Sequence, residues 1–258
     1  MKIHPTALVH ASAKVDPTAE IGPWCTVGEH VSIGKNTRLI SHVVVDGWTT
    51  IGDENTVFPF AVLGAVPQDL KYKGEKTELI IGNGNTIRES ATLNLGTVQG
   101  GGRTKIGDHN LLMAYTHLGH DCVIGSHCIL ANYAGLAGHV TLDDYVTIGG
   151  MTGVSQFVRV GAHAYIGGQS GLEKEVPPYV IAVGSRPCAL KGANIVGLRR
   201  RGFPAEIIQK INEAIKLWAR TDVQKEQCLL EIDSQYGEFP EIARFVQFIR
   251  KSEIGVVR

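Results

Sequence analysis

The sequence predicts a mainly β protein: a parallel β-helix wound in triangular coils, followed by a small α-helical domain. Three observations predict it. Aliphatic residues recur at every sixth position over most of the chain. Small or β-branched residues precede them by two positions, and Gly often follows them. The period fails after Leu172, and Pro177-Pro178 leads into helical patterning.

The first series runs Val9, Val15, Ile21, Val27, Ile33, Leu39, Val45, Ile51, Val57 and Leu63. A second holds Ile81, Ile87 and Leu93, and a third runs from Ile106 through Leu112, Leu118, Ile124 and Leu130 to Leu172. Ten, three and twelve members make 25 aliphatic positions. A period of six matches neither a helix nor a simple alternation. It suits short strands joined by tight turns and stacked as a β-helix. Three hexads make one coil, so the series predicts roughly eight coils, each rising about 4.8 Å. The aliphatics point inward. Small residues such as Ala19, Cys25, Cys122 and Ala134 let the chain corner, and Gly22, Gly34, Gly107 and Gly125 are assigned to the corners as well.

Two excursions leave the prism. One spans Ala65 to Glu78 and returns to register; the other spans about Asn94 to Arg103, ends in Gly100-Gly101-Gly102 and shifts the register by one. Loops on a rigid scaffold are where function concentrates. Past the period, Pro204 suits a first helical turn, and Ile207, Ile211, Ala214, Ile215 and Trp218 share one face. A second amphipathic stretch runs from Pro240 through Ile242, Phe245, Val246 and Ile249. The domains are therefore predicted at 1–189 and 190–258.

Composition narrows the function. The 258 residues carry 25 Lys+Arg against 25 Asp+Glu, which argues against nucleic-acid or membrane-surface binding driven by net charge. No apolar run reaches the roughly 20 residues of a membrane span, and Met1-Lys2-Ile3-His4-Pro5 lacks the apolar core of a secretory signal. The five Cys lack a paired zinc spacing and read as free thiols. A cytoplasmic protein is expected. The neutral total conceals a local patch: residues 176–205 hold Arg186, Lys191, Arg199, Arg200 and Arg201 and no acid. Such a patch suits phosphates or an acidic partner.

Coil arithmetic predicts vertical neighbours. His120 falls below Gly138 and Gln156, Asp121 below His139, and His117 below Gly135 and Gly153. A His beneath a bare Gly backbone has space for a substrate and an N–H to face an oxyanion. Asp121 could orient the imidazole if a kink brings it round. A lone His in such a position is more often a surface turn residue; the clustering of four groups on neighbouring coils argues for chemistry. His117, His120 and His139 could instead hold zinc.

Longer motifs carry a resemblance. Gln68-Asp69-Leu70-Lys71-Tyr72, Ile87-Arg88-Glu89-Ser90, Gly96-Thr97-Val98-Gln99-Gly100-Gly101-Gly102, His120-Asp121-Cys122, Leu136-Ala137-Gly138-His139-Val140 and Gly197-Leu198-Arg199-Arg200-Arg201-Gly202-Phe203 closely resemble the UDP-N-acetylglucosamine O-acyltransferase family of hexapeptide-repeat transferases. The resemblance covers nearly the whole chain. It implies a left-handed coil, and a homotrimer with active sites in clefts between neighbouring prisms. It implies transfer of a 3-hydroxyacyl group from acyl carrier protein to the 3-hydroxyl of UDP-N-acetylglucosamine, the first step of lipid A biosynthesis. His120 matches the general base, Asp121 the residue that orients it, and the Gly138 N–H the oxyanion donor. Lys71 and Asp69 match groups near the sugar and phosphates. His117 and His139 match substrate-binding histidines, and Asn132, Gln156 and Arg200 match the lining of the donor or nucleotide groove. Asn194 and Arg201 match the nucleotide end. Gly168 matches the floor of the acyl groove, where a bare Gly leaves space for a longer chain. No metal or free cofactor is implied, since the donor arrives on the phosphopantetheine of the carrier.

Three positions depart from the family pattern: Ser155 and Arg186 stand where His occurs, and Val196 replaces an acidic residue. Two other readings of the chain remain: acylation of a 3-amino UDP-sugar, and a γ-class metalloenzyme.

Overall fold

The computed structural model describes residues 2–258. Among them the chain winds into a left-handed β-helix of three sheets with eleven, nine and eight strands. The first face runs from Lys2–Ile3 to Tyr165–Ile166, the second from Leu8–Val9 to Gly171–Leu172 and the third from Lys14–Val15 to Arg159–Val160. Each rung pairs in parallel with the residue one coil on, as in Leu111↔Ile129 and Ile129↔Thr147. The first face begins one strand earlier than the aliphatic series predicts, because Ile3 opens a coil one hexad ahead of it and pairs with Ile21.

Both excursions leave from the end of the second face. Trp48 pairs with Glu78, and Glu78 in turn with Arg103, so the polar loop and the Gly-rich loop are extruded while the third-face ladder continues unbroken. The inward aliphatics form one continuous core; Leu39, Leu63, Leu93, Leu118 and Ile148 are each 1% exposed or less. The small residues two places earlier, Ala19, Cys25, Cys122 and Ala134, are fully buried at the inner corners.

The glycines that follow the aliphatics do not make the corners. A Cβ on Gly22 would lie 1.7 Å from the Ile40 carbonyl oxygen, and one on Gly107 would lie 2.7 Å from that of Gly125. Those glycines let the next coil approach. The left-handed turn falls two residues later, at Trp24, Phe60, Tyr115, Asp121, Tyr133, His139, Tyr145 and Phe157, all with φ between 60° and 67°. A non-Gly residue there costs about 1–2 kcal/mol. Stacking offsets it: Tyr115 lies on Tyr133 at 4.8 Å and His139 on Phe157 at 4.5 Å, and such ring pairs contribute about 0.5–1.5 kcal/mol. The scarce aromatics thus sit outside the narrow prism, as rungs of its edges.

After the last coil, Val180–Val183 pairs antiparallel with Ala189–Ala193. Four helices follow: α1 (Ile195–Arg200), α2 (Ala205–Trp218), α3 (Lys225–Tyr236) and α4 (Pro240–Arg250). Pro204 caps α2 from just outside it, and the buried face includes Ile208, with Ile207 only partly covered. Trp218, Ile211, Ile215, Ile242 and Phe245 form the helical core. The two parts are joined at Glu175, which is 3% exposed and accepts from Arg159 Nε and Nη2, each at 2.7 Å. Its carbonyl accepts the Val257 N–H at 2.9 Å.

Candidate active site

The corner between the second and third faces builds the site. Asp121 takes the left-handed position, φ 61°, and this turns its carboxylate back toward the preceding residue. Its Oδ2 accepts from His120 Nδ1 at 2.8 Å. The same carboxylate accepts the Thr97 N–H at 2.8 Å and the Thr97 hydroxyl at 2.6 Å. The Thr104 hydroxyl receives the Asp121 N–H at 2.8 Å. Gly100 is tied to the same spot, for a Cβ on it would lie 2.0 Å from the Asp121 carboxyl carbon. The Gly-rich excursion is therefore a clamp that holds one carboxylate.

His120 and Asp121 are 8% and 5% exposed. With Nδ1–H donating to the carboxylate, Nε2 is left as the acceptor. The ring lies across Gly138, where a Cβ would meet His120 Cε1 at 2.5 Å. Ala137 donates its N–H to Val154 and His139 to His120. The Gly138 N–H between them bonds no main-chain carbonyl among the described residues. A main-chain donor without a main-chain partner and the ring of His120 thus lie against each other, the two kinds of group that acyl transfer uses.

The imidazole opens onto a cavity of about 930 Å³ that is also lined by His117, Gly138, Gln156 and Gln68. Burial pushes the His117 pKa down, and its Nδ1 pairs with the Thr92 hydroxyl at 2.8 Å. His139 stands edge-on to His120 at 5.0 Å, and its pKa too is lowered by burial, against the pull of Asp121. Asp69 lies near enough for its charge to act on His139, while the exposed Lys71 lies outside the cavity wall. Ser155 and Arg186 line the cavity, and Arg186 pairs with Glu173 at 3.0 Å.

The other expected residues lie elsewhere on the chain. Asn132 and Gly168 share a pocket of about 480 Å³ with Tyr133 and Met151, at the edge between the first and second faces. Asn194, Arg200 and Arg201 line a pocket of about 550 Å³ on the first face, with Tyr145, His163 and Val196. Asn194 also caps α1: its Oδ1 accepts the Gly197 N–H at 3.1 Å, and its Nδ2 donates to the His163 carbonyl at 2.9 Å.

His120, Asp121 and His139 bring donor atoms within 4.8 Å of one another. His117 is not of this group, so the His117, His120 and His139 zinc set does not assemble. The oxygens of Asp121 already receive three hydrogen bonds, an arrangement suited to orienting an imidazole.

The sequence offers Thr97 and Gly100 only within a motif, with no role for either, and gives no sign of Thr104 or Asn94. Three of them belong to the second excursion or its ends, where the six-residue period gives no register, and Thr104 begins its return.

Comparison with known proteins bears on this geometry. A family described as "Udp N-acetylglucosamine O-acyltransferase; Domain 2" matches residues 175–257, and the bacterial transferase hexapeptide family matches residues 103–138. The UDP-N-acetylglucosamine O-acyltransferase of Moraxella catarrhalis is 42% identical over 100% of both chains, with a TM-score of 0.95. The UDP-N-acetylglucosamine acyltransferase of Bacteroides fragilis is 41% identical over 99% of this chain and 100% of its own, with a TM-score of 0.96. The Arabidopsis UDP-N-acetylglucosamine acyltransferase is 33% identical over 99% and 100%, at 0.86. The match thus runs from end to end, and the chain belongs to the UDP-N-acetylglucosamine O-acyltransferase family.

Proposed function

We infer that this protein transfers a 3-hydroxyacyl group from acyl carrier protein to the 3-hydroxyl of UDP-N-acetylglucosamine, the first step of lipid A biosynthesis. One observation carries the chemistry: His120 held by Asp121 against the N–H of Gly138. His120 Nε2 takes the proton of the sugar hydroxyl as its oxygen attacks the thioester carbonyl. The Gly138 N–H receives the developing oxyanion. The C–S bond then breaks, and the imidazolium returns the proton to the leaving thiolate. Asp121 holds the tautomer and stabilises the imidazolium.

Asp69, Lys71, His117, His139 and Gln156 are read as contacts to the acceptor sugar and its phosphates. Asn194, Arg200 and Arg201 are read as the nucleotide end, with Asn132 and Gly168 along the acyl groove. On this reading residues 1–189 carry acyl transfer and residues 190–258 complete the groove. The reaction calls for no metal and no free cofactor. No helix among the described residues is long and apolar enough to cross a membrane, and we place the reaction in the cytoplasm.

The three groups of residues lie on separate surfaces of one chain, which supports a homotrimer that joins them between copies. Trp24, Phe60, Tyr115, Tyr133 and Met151 form an exposed apolar ridge along the edge between the first and second faces, suited to packing on another copy.

The decisive test incubates the purified protein with 3-hydroxyacyl carrier protein and UDP-N-acetylglucosamine and identifies the ester by mass spectrometry. Absence of product would overturn the reading. Shared sites are tested by mixing His120→Ala and Arg201→Ala subunits after dissociation. Recovery of activity is expected, and its absence would assign both residues to one chain's site.

A further inference from the structure

The first excursion reaches the reaction centre, yet it is scarcely bonded to the prism. Gln68 lines the 930 Å³ cavity with His120, and the charge of Asp69 acts on His139. Among the described residues, the main chain of 66–76 makes one main-chain hydrogen bond, from the Tyr72 N–H to the Asp69 carbonyl at 3.1 Å, and it stays inside the loop. The side-chain bonds close on the loop as well. The Lys71 N–H donates to the Asp69 carboxylate and the Tyr72 hydroxyl to the Glu75 carbonyl. The Lys73 N–H donates to the Glu75 carboxylate, and the Lys73 ammonium to the Leu70 carbonyl. Pro67 is the one buried residue between 66 and 76. A loop left so free keeps backbone entropy that substrate binding would have to remove. It needs a fixing point that main-chain bonding does not supply.

Trp48 supplies one. Its strand, Trp48–Ile51, pairs with Glu78–Ile81, the strand into which the excursion returns. Lys76, at the end of the loop, places its Nζ over the Trp48 ring, 3.7 Å from the centroid. The His30 ring, one coil below, stacks on the same indole at 3.8 Å and 7°. Two groups so close to one centroid occupy opposite faces, so the indole is held between an imidazole and an ammonium. His30 fixes the ring, and the open face, the negative side of its quadrupole, draws the cation. We propose that Trp48 is a positioning residue: with Lys76 it pins the first excursion and so sets where Gln68 and Asp69 stand beside His120. Trp48 and Lys76 lie outside the cavity wall and act through the loop.

The inference rests on the reading of this loop as a contact to the acceptor, and its test separates the two. Wild type, Trp48→Leu, Trp48→Phe and Lys76→Met are compared in acyl transfer to UDP-N-acetylglucosamine. They are also compared in limited tryptic cleavage after Lys71 and Lys73, whose rate follows the population of the open loop. Trp48→Leu and Lys76→Met are expected to raise KM for the UDP-sugar about fivefold, with kcat and KM for the acyl donor preserved, and to speed cleavage by about the same factor. Trp48→Phe keeps a ring face and should restore most of both. Lys76 is exposed, so Lys76→Met decides the matter should Trp48→Leu fail to fold. Unchanged KM or unchanged cleavage in Lys76→Met, or a fall in kcat with KM preserved, would overturn the role of Trp48 and leave the acyltransferase reading standing. Absence of product from the wild type would overturn that reading, and the cleavage rates would then decide alone whether Trp48 pins the loop.

Discussion

Along the edge between the third and first faces, His109, His127, Tyr145, His163 and Tyr179 stack ring upon ring, their centroids 5.2, 4.8, 4.8 and 5.8 Å apart. Along the edge between the second and third faces, Asp121, His139 and Phe157 occupy the same left-handed corners, but the ladder stops below His139. A carboxylate holds the lowest of these corners, and His120, one residue ahead of it, stands perpendicular to His139. His127 and His163 in the ladder each have a ring above and a ring below and serve as packing. A His displaced from the ladder by a short acidic neighbour keeps one nitrogen on that neighbour and offers the other to the cavity. On the proposed function, one residue type in one repeat is thus structural at one edge and chemical at the next.

The comparison breaks first at its two histidines. His120→Ala should lower kcat/KM by about 10²–10⁴-fold with thermal stability preserved. His127→Ala should leave turnover unchanged and lower Tm, because it removes the middle of a stack. Equal losses of turnover would erase the distinction between the edges. The glycines test it next. Gly138→Ala drives a methyl into the His120 ring and covers the oxyanion donor, so kcat should fall about 10²-fold. Gly125→Ala collides instead with the Asp144 carboxylate, 2.6 Å away, in the wall of the prism. It should lower Tm and spare kcat.

The prism was legible because each hexad contributes one inward aliphatic, and a repeat that strict has few physical solutions. His120 beneath Gly138 followed from the same arithmetic, since neighbours one coil apart are fixed by counting. What counting could not reach came from departures in the period. Thr97 meets Asp121 only because the second excursion folds back over the corner. The corner itself was misread: Gly after the aliphatic looked like the turn, whereas it relieves a clash with the next coil, and the turn is carried by aromatics, His and Asp two places on. Helix α3 gave little signal, because Leu229 is buried beside Leu230, which is 58% exposed, so no clean apolar stripe forms. The separation of Arg200 and Arg201 from His120 depends on which face each residue occupies, which the one-dimensional pattern of the tail does not encode.

Thr97 gives an intermediate effect. Thr97→Val removes the 2.6 Å hydroxyl bond to Asp121 and leaves the main-chain bond in place. A hydrogen bond to a charged group is worth about 1.5–3 kcal/mol. Part of that loss falls on the orientation of His120, so kcat should drop about tenfold with KM for the UDP-sugar steady. A rise in KM with kcat preserved would show that the excursion binds substrate and does not clamp the catalytic corner.

The smallest effect belongs to the structural edge and is read by pH. His163 lies between Tyr145 and Tyr179, and burial, aided by Arg201 and Arg244, pushes its pKa down from 6.5 to about 4. Between those two values the unfolded chain binds a proton that the folded chain refuses, so stability falls as pH drops from 6.5 toward 4. Above that window both states are neutral at this residue, and below it both are charged. The ring is only partly enclosed, and after solvent screening the contribution is about 1 kcal/mol, or about 2–4 °C in Tm for a chain of this size. His163→Phe keeps an aromatic rung in the stack and removes the titration. Its Tm relative to wild type should therefore rise as pH falls from 7 to 4.5, while the pH–rate profile keeps its midpoint because His120 is untouched. If the variant shifts that midpoint instead, the two edges are coupled, and the stack between the third and first faces belongs to the catalytic machinery.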